Sequence, residues 1–260
     1  MNINNSRCQE VVEKLNKHFF NKAGLADVEF PRNVSYGTNE YYLYMFYSCL
    51  LDYGMRSKIY HRNLIDTYIK YPEIFYPKYV EKMPEEDLYN IIVSNIHPRY
   101  PKVATQKWLR LSKQLLKYDN ITTYLKNIKS FEELNKLIKD IKGYGQKTGG
   151  LLIRIICDSK ICNFKENINS IPIDRHDIEI SYLTNIIDTS KVSNNEIKKL
   201  SSAYVNIGKK LNVNPSDIDK YLWQIGNSYC NKKQCHECPL NNLCRKVQNN
   251  KLHFMGDDLK

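Results

Sequence analysis

The chain has 260 residues and a mass of 30.7 kDa, enough for one large domain or two small ones with a substantial core. Hydrophobic residues make up 42% and charged residues 26%, which excludes disordered, collagen-like and coiled-coil chains. The net charge of +11 favours a polyanionic partner, either nucleic acid or an anionic membrane surface. No apolar run is long enough to cross a bilayer and no secretory signal opens the chain, so we expect a soluble, cytoplasmic protein.

Apolar residues recur at helical spacing along most of the chain and predict an all-α fold. Alternation of apolar and polar residues over six or more positions is absent, which argues against a large sheet. One predicted helix begins after Ser130, whose hydroxyl is placed to accept from the backbone N–H of Glu133 while the Glu133 side chain reaches back. In chain order, the other predicted helices are 40–53, 84–95, 104–118, 147–157, 194–211 and 216–228.

The predicted helix 104–118 has one apolar side and one basic side. The basic side carries Lys107, Arg110, Lys113 and Lys117, and no acidic residue lies between Arg99 and Tyr118. Such a side is either a solvated helix face or a stripe that contacts phosphates, and the pattern alone leaves both open.

A glycine-containing turn follows the helix that begins after Ser130. Gly143 and Gly145 permit a tight hairpin, and Lys147 lies at the start of the next predicted helix. The free N–H groups at such a turn can bind a phosphate without reading sequence. The alternative interpretation is a plain helix–helix turn.

An acidic residue, Asp174, follows Pro172 and the apolar Ile173. Its carboxylate could share a pocket with Lys147, although an Asp near a proline more commonly caps a helix. Asp177 is a nearby alternative for any such role.

Four of the eight cysteines are grouped near the C-terminus, as Cys230-x4-Cys235-x2-Cys238-x5-Cys244. A chain without a secretory signal does not favour disulfides, so we interpret Cys157 and Cys162 as ordinary thiols and the C-terminal four as metal ligands. Zinc ribbons usually have two closely spaced pairs, and here only 235–238 is such a pair. The spacing therefore favours a [4Fe–4S] cluster over zinc. Basic residues surround the group and are placed either to contact phosphates or simply to be solvated: Lys232, Lys233, Arg245 and Lys246.

Taken together and in this order, the glycine hairpin with its lysine, the aspartate and the cysteine run resemble the helix–hairpin–helix DNA glycosylase superfamily. The resemblance is to its endonuclease III-like branch with a C-terminal iron–sulfur cluster, and it extends from about Tyr41 to Cys244. The family patterns are L-P-G-V-G-x-K-T-A, V-D-T-H and C-x6-C-x2-C-x5-C. The resemblance implies that Gly143 and Gly145 are the hairpin glycines, Lys147 and Asp174 are catalytic, and Cys230, Cys235, Cys238 and Cys244 are the cluster ligands.

The chain departs from the family pattern at several positions. The first cysteine spacing is x4 instead of x6. Lys142, Tyr144 and Gly149 replace the usual Pro, Val and Ala, and Glu179 stands where an Arg is common. The segment 48–53 has no Gln where the family places one to fill the gap left by a flipped base. We therefore expect a divergent substrate preference.

The resemblance implies two helical lobes. One is 40–168 with the helix–hairpin–helix motif, the other is 1–39 plus 169–246 with the cluster loop 230–244, and 247–260 is a frayed tail. The active site is expected between the lobes.

The activity implied by the resemblance is base excision repair. A DNA glycosylase with AP lyase activity removes a damaged or mismatched base through a Schiff base on Lys147, followed by β-elimination, with Asp174 stabilising positive charge at the sugar. The expected partner is double-stranded DNA with a damaged base, bound by a monomer at the nucleoid with no membrane involved. The alternatives are a monofunctional glycosylase and a non-enzymatic DNA-binding or damage-sensing protein.

Overall fold

The computed structural model describes residues 1–20, 28–52, 57–162, 164 and 171–248. Within these ranges the chain is helical and contains no strand, apart from one isolated antiparallel bridge between Ile3 and Ile187. The predicted all-α fold is confirmed. None of the described helices is long and apolar enough to span a membrane.

Each predicted helix lies within a few residues of an observed one, and 194–211 coincides with an observed helix. Other observed helices, Asn5–Phe19 and Ser57–Lys70 among them, were not predicted. The ends of the predicted helices 84–95 and 216–228 are π-helical, at Ile92–Ile96 and Ile225–Cys230. Short 3-10 segments occur at Pro72–Phe75 and Asn241–Leu243. In chain order the α-helices are α1 (Asn5–Phe19), α2 (Asn39–Leu50), α3 (Ser57–Lys70), α4 (Pro77–Val80), α5 (Glu85–Ile91), α6 (Pro101–Leu115), α7 (Ile121–Asn127), α8 (Phe131–Asp140), α9 (Gln146–Asp158), α10 (Arg175–Leu183), α11 (Asn194–Leu211), α12 (Pro215–Gln224) and α13 (Arg245–Gln248).

The chain divides into two compact units. Asp27–Glu166 forms what we call the continuous unit, and Met1–Ala26 with Asn167–Lys260 forms the discontinuous unit. Residues 28–39 thus group with the helices that follow them, whereas the sequence placed them in the other lobe. One contact that joins this segment to α2 is the stacking of the Phe30 ring on Tyr41, with 4.1 Å between ring centroids. The second predicted boundary, at 168/169, and tail residues 249–260 lie outside the described residues.

The continuous unit is built around α2, which is buried on every side from Tyr42 to Leu50. A helix that is apolar all round belongs in the middle of a bundle, and α6, α7 and α9 pack against it. The Tyr47 ring stacks on Trp108 at 4.6 Å, and its hydroxyl is hydrogen-bonded to Ser112 at 2.6 Å. The indole of Trp108 donates to the Ile74 carbonyl at 2.7 Å. Because their polar atoms find partners, these large aromatic side chains can fill a core.

The capping motif at the start of α8 is present in a modified form. The Ser130 hydroxyl accepts from the Glu133 N–H at 3.1 Å, as predicted. The Glu133 carboxylate accepts from the N–H of Lys129 at 3.0 Å, one residue before the expected donor. The helix buries one side and ends just before Ile141, which is itself buried. Both ends of α8 are therefore defined, and its C-terminal end lies where the hairpin begins.

In the discontinuous unit, α1 packs against α11 and α12, and α10 packs against α12 and the π-helical segment Ile225–Cys230. The unit therefore contains both α10, which begins directly after Asp174, and the cysteine run that begins at Cys230. Two of the sequence motifs thus lie on neighbouring elements of one unit.

Candidate functional site

The hairpin between α8 and α9 requires glycine at one of its two glycine positions. Gly143 has φ = +132°, a left-handed conformation that side chains rarely adopt, and a Cβ there would lie 3.2 Å from Leu50 Cδ1. Gly145 has extended backbone (φ −93°, ψ −176°), and a Cβ there would meet no atom within 4 Å. A side chain at Gly145 would therefore fit without a clash, and its only effect would be to restrict the access of a ligand to the exposed backbone.

Two polar side chains tie the hairpin to neighbouring helices. From α6, the Gln114 amide donates to the Asp140 carbonyl at 3.0 Å and accepts from the Lys142 N–H at 2.8 Å. Tyr144 donates its hydroxyl to the Phe46 carbonyl of α2 at 2.5 Å. Burial raises the pKa of Tyr144 well above its ordinary value, so this hydroxyl is a permanent donor. A tyrosine in place of the family's usual valine thereby becomes an anchor.

Lys147 lies on the first turn of α9 and is half-buried. Its Nζ donates to the Asp52 carbonyl at 3.3 Å. The N–H of Gly145 donates to Thr148 Oγ1 at 3.0 Å, while the first N–H groups of any helix have no acceptor within the helix. The first turn of α9 therefore places a positive dipole end next to an oriented amine.

The predicted basic side of α6 is divided by the fold. Arg110, Lys113 and Lys117 are exposed, whereas Lys107 is half-buried and its burial lowers its pKa. The Lys107 side chain packs at the hairpin, with its Cβ and Cγ each 3.8 Å from the place of a Cβ on Gly143. Lys107 thus packs at the hairpin, whereas Arg110 and Lys113 of α6 and Lys117 just after it are exposed to solvent or to a ligand.

Asp174 is the N-cap of α10. Its Oδ1 accepts from the N–H groups of His176 at 2.7 Å and Asp177 at 3.2 Å, and the Asp177 carboxylate accepts from the Asp174 N–H at 2.6 Å. The capping interpretation is therefore correct, and the two N–H donors fix the direction of the Asp174 carboxylate. Lys147 belongs to the continuous unit and Asp174 to the discontinuous unit.

Asp177, the alternative aspartate, is in a different environment from Asp174. Asp174 is half-buried, whereas Asp177 is only 2% exposed. Burial raises the pKa of Asp177 well above its usual value, and the charges of Asp174 and Asp219 raise it further. A carboxyl that is enclosed and favours its neutral form suits a structural role in the first turn of α10.

Two side chains of α10 contact residues that flank the cysteine run. The His176 ring covers Gly226, where a Cβ would come within 2.5 Å of the imidazole Cγ. Glu179 accepts from the Lys246 ammonium at 3.1 Å, and both side chains are largely enclosed. The helix that carries Asp174 at its N-terminus is therefore packed along its length against the segment that bears the cysteines.

The four C-terminal cysteines line one cavity. Leu183, Tyr229, Asn241 and Lys246 complete its lining. Burial raises the pKa of Cys230 to about 12 and that of Cys238 to about 11, so without a metal these groups are thiols. Within the described ranges, no three Cys, His, Asp or Glu side chains are arranged to hold a single metal ion. An all-sulfur donor set around a shared cavity is compatible with a multi-iron cluster, whose bulk separates its ligands more than one ion does.

The three basic residues predicted to contact DNA near the cysteines differ in exposure. Lys232 and Lys233 are exposed. The Arg245 guanidinium lies 4.7 Å from the Tyr182 ring centroid and donates to the Asn185 side chain, so it attaches the C-terminal segment to α10. Of the three, the two lysines are therefore the ones exposed as a basic pair.

Several contacts of the site had no sequence signal. Gln114 is an ordinary polar residue of an amphipathic helix, and Asp52 contributes a backbone carbonyl that any residue could supply. The pairing of Glu179 with Lys246 had a partial signal, because Glu179 departs from the family pattern by a reversal of charge. A search for a compensating cation near the cysteines could have found Lys246.

No protein-family model matches this sequence, and no curated protein matches it. Solved structures do match. A trapped endonuclease III–DNA covalent intermediate has a TM-score of 0.66 at 16% identity, over 96% of this chain and 99% of that one. A thermostable thymine-DNA glycosylase has a TM-score of 0.62 at 14% identity, over 94% and 98%. The Methanocaldococcus jannaschii 8-oxoguanine glycosylase/lyase, in complex with DNA containing 8-oxoguanine, has 0.53 at 17%, over 85% and 89%. The resemblance inferred from the motifs is confirmed at the level of the fold: the chain has the fold of the helix–hairpin–helix DNA glycosylases.

Proposed function

We propose that the protein is a DNA glycosylase of base excision repair with AP lyase activity, acting on a damaged or mismatched base in duplex DNA. The observation that carries the proposal is Lys147. It lies on the first turn of the helix after the Gly143 hairpin, with its Nζ oriented by the Asp52 carbonyl, in a fold shared with DNA glycosylases. Phosphate binding by the hairpin needs backbone N–H groups and no lysine at this position.

In the proposed reaction the target base is first rotated out of the duplex, because the sugar C1′ is not accessible in the stack. The neutral Lys147 amine attacks C1′, a nitrogen–carbon bond forms, and the bond to the base breaks. Opening of the sugar ring gives a Schiff base, and β-elimination then breaks the bond to the 3′ phosphate oxygen.

Asp174 is proposed to stabilise the positive charge that develops at the sugar. Two backbone N–H donors hold its carboxylate in one orientation. A charged group that is already fixed before the reaction does not have to reorient during it, so its full electrostatic effect is available to the transition state. Asp177, which is enclosed and favours the neutral form, is not suited to this role.

A [4Fe–4S] cluster held by Cys230, Cys235, Cys238 and Cys244 is proposed as the cofactor, with zinc as the alternative. When bound, it would act as a structural clamp for the loop 230–244. Anaerobically purified protein is expected to contain about four iron and four sulfide per chain. Stoichiometric zinc without sulfide would overturn the cluster.

The test of the activity is borohydride trapping on a panel of duplexes that each contain one damaged or mismatched base. Wild-type protein is expected to form a covalent adduct with at least one duplex. Lys147→Ala should abolish the adduct, whereas Lys136→Ala, which removes an exposed lysine of α8, should leave it unchanged. Asp174→Asn should slow adduct formation by orders of magnitude.

Each other outcome contradicts a defined part of the proposal. Base release without any adduct identifies a monofunctional glycosylase. Binding of the duplexes without base release identifies a DNA-binding protein. An adduct that persists in Lys147→Ala assigns the nucleophile to another amine.

A further inference from the structure

One charged pair lies between α10 and the cavity of the four cysteines. Lys246 lines that cavity, and its Nζ donates to Glu179 Oε1 at 3.1 Å. The side chains are only 13% and 11% exposed. Glu179 extends from α10, and Lys246 follows the last cysteine by two residues, so the pair joins two segments that are far apart in sequence.

A paired ammonium at this place is not explained by stability alone. Enclosing a charged pair costs desolvation that the mutual attraction often fails to recover, so hydrophobic residues of similar size would serve packing at least as well. A metal centre with four thiolates changes this balance between desolvation cost and electrostatic attraction. With either zinc or a four-iron cluster such a centre is net negative, and a negative group in a partly closed cavity is stabilised by a cation fixed beside it.

We propose that Lys246 is the counter-cation of the metal centre held by the four cysteines, and that Glu179 positions it. This inference rests on the four-cysteine centre proposed above. The Glu179 carboxylate accepts a hydrogen bond from the ammonium and so holds the positive charge at the cavity. Lys246 is accordingly a positioning and charge-balancing residue of the centre, and it is neither a metal ligand nor a contact to DNA.

The roles of the two residues predict effects of different size. Lys246→Met keeps the aliphatic stem and removes the charge, which leaves the Glu179 carboxylate enclosed and unpaired beside the thiolates. Glu179→Gln keeps an acceptor for Lys246 and removes a negative charge. In the double variant neither charge is left unpaired, so Glu179→Gln should compensate for much of the harm done by Lys246→Met.

The test measures metal retention by the purified holoprotein. Bound iron, sulfide and zinc are followed over time under anaerobic conditions in excess EDTA. Lys246→Met is expected to lose metal about 10- to 100-fold faster than wild type, the range typical for loss of a residue that supports metal ligands. Lys246→Arg and Glu179→Gln should stay near wild type, and the double variant should lose metal more slowly than Lys246→Met. Lys232→Met, which removes an exposed lysine of the loop 230–244, is the matched control.

The inference is overturned if Lys246→Met retains metal as well as Lys232→Met does, or if Glu179→Gln fails to slow the loss caused by Lys246→Met. Should Lys246→Met already lack metal after purification, the same comparison is made on the metal content of the purified double variant. The cofactor is tested separately by the metal in the wild type. Zinc without sulfide overturns the iron–sulfur assignment and leaves the charge argument in force, whereas a wild type with no bound metal overturns both.

Discussion

At the scale of single residues, the two glycines of the hairpin are expected to differ in how well they tolerate a side chain. Gly143→Ala is expected to destabilise the protein by about 1–3 kcal/mol, because the alanine would be held at a left-handed φ and pressed against Leu50. Gly145→Ala is expected to cost less than about 1 kcal/mol, since the backbone there is extended and the space is open. Urea denaturation of both variants measures the difference. Equal losses would contradict the conformational argument.

Gly149, where the family has Ala, is expected to accept a methyl group. A Cβ there would lie 3.4 Å from Ile138 Cγ2 and 3.5 Å from Tyr144 Cβ, which are ordinary contact distances. Because glycine in a helix costs backbone entropy, Gly149→Ala should stabilise the protein by about 0.5–1 kcal/mol. A rise in melting temperature by calorimetry checks it, and a fall would show that the packing around α9 cannot accept a methyl group.

Asp177 links stability to pH. Its pKa in the folded protein is raised, so between its ordinary value near 3.8 and the raised value the folded state binds a proton that the unfolded state does not. The contribution of Asp177 to the free energy of unfolding is therefore fully present below pH 3.8 and is lost as pH rises through the folded pKa. The free energy of unfolding falls by at most about 1.4 kcal/mol per pH unit in this window. Asp177→Asn resembles the neutral acid and lacks this dependence.

The measurement is the free energy of unfolding of wild type and Asp177→Asn at pH 4 and pH 8. The stability of wild type relative to the variant should fall from the acidic to the alkaline condition. An unchanged difference would mean that Asp177 titrates normally in the folded protein.

At the scale of elements, the hairpin depends on Gln114 of α6, which is hydrogen-bonded to both sides of the turn. Gln114→Ala removes both bonds without changing charge. We expect duplex affinity to fall by about 3- to 10-fold, the equivalent of one net hydrogen bond, with the salt dependence of binding unchanged.

Gln106→Ala is the matched control for this change, because it removes a glutamine of the same helix whose amide bonds to Glu85 instead. Fluorescence anisotropy with an undamaged duplex over a salt series gives both quantities. A loss of affinity equal to that of Gln106→Ala would show that the hairpin needs no clamp from α6.

α10 connects two features that the sequence presents separately. Its first residues are capped by Asp174, and its His176 and Glu179 contact Gly226 and Lys246, which flank the cysteines. A change in the cysteine run therefore acts on the helix that begins at Asp174. If the proposed cluster is present, this arrangement gives it a structural role in placing the carboxylate that we propose to be catalytic.

At the scale of the whole molecule, the net charge of +11 predicts binding to undamaged duplex that weakens steeply with salt. Each phosphate contact adds about 0.9 to the log–log slope, so replacing Lys232 and Lys233 together by Ala should lower it by up to about two. The exposed Lys198 of α11 serves as control, and Lys198→Ala should leave the slope unchanged. If the double variant keeps the wild-type slope, the cysteine loop does not contact phosphates.

Features that depend on neighbours along the chain were determined by the sequence alone. The Ser130 cap, the limits of α11 and the position of Lys147 on the first turn of α9 follow from the order of residues within one or two helical turns. The grouping of the four cysteines is of the same kind, because a run of fifteen residues can hardly avoid bringing them together.

Pairings across the chain were decided only by tertiary structure. Lys147 meets a carbonyl 95 positions away, Tyr144 one 98 positions away, and Lys246 a carboxylate 67 positions away. The physical reason is that helix formation is governed by local dihedral preferences and hydrogen bonds, whereas these partners are chosen by which helices pack together. Packing depends on the summed burial of whole faces, and a single lysine, tyrosine or glutamate carries no mark of the partner that it will meet.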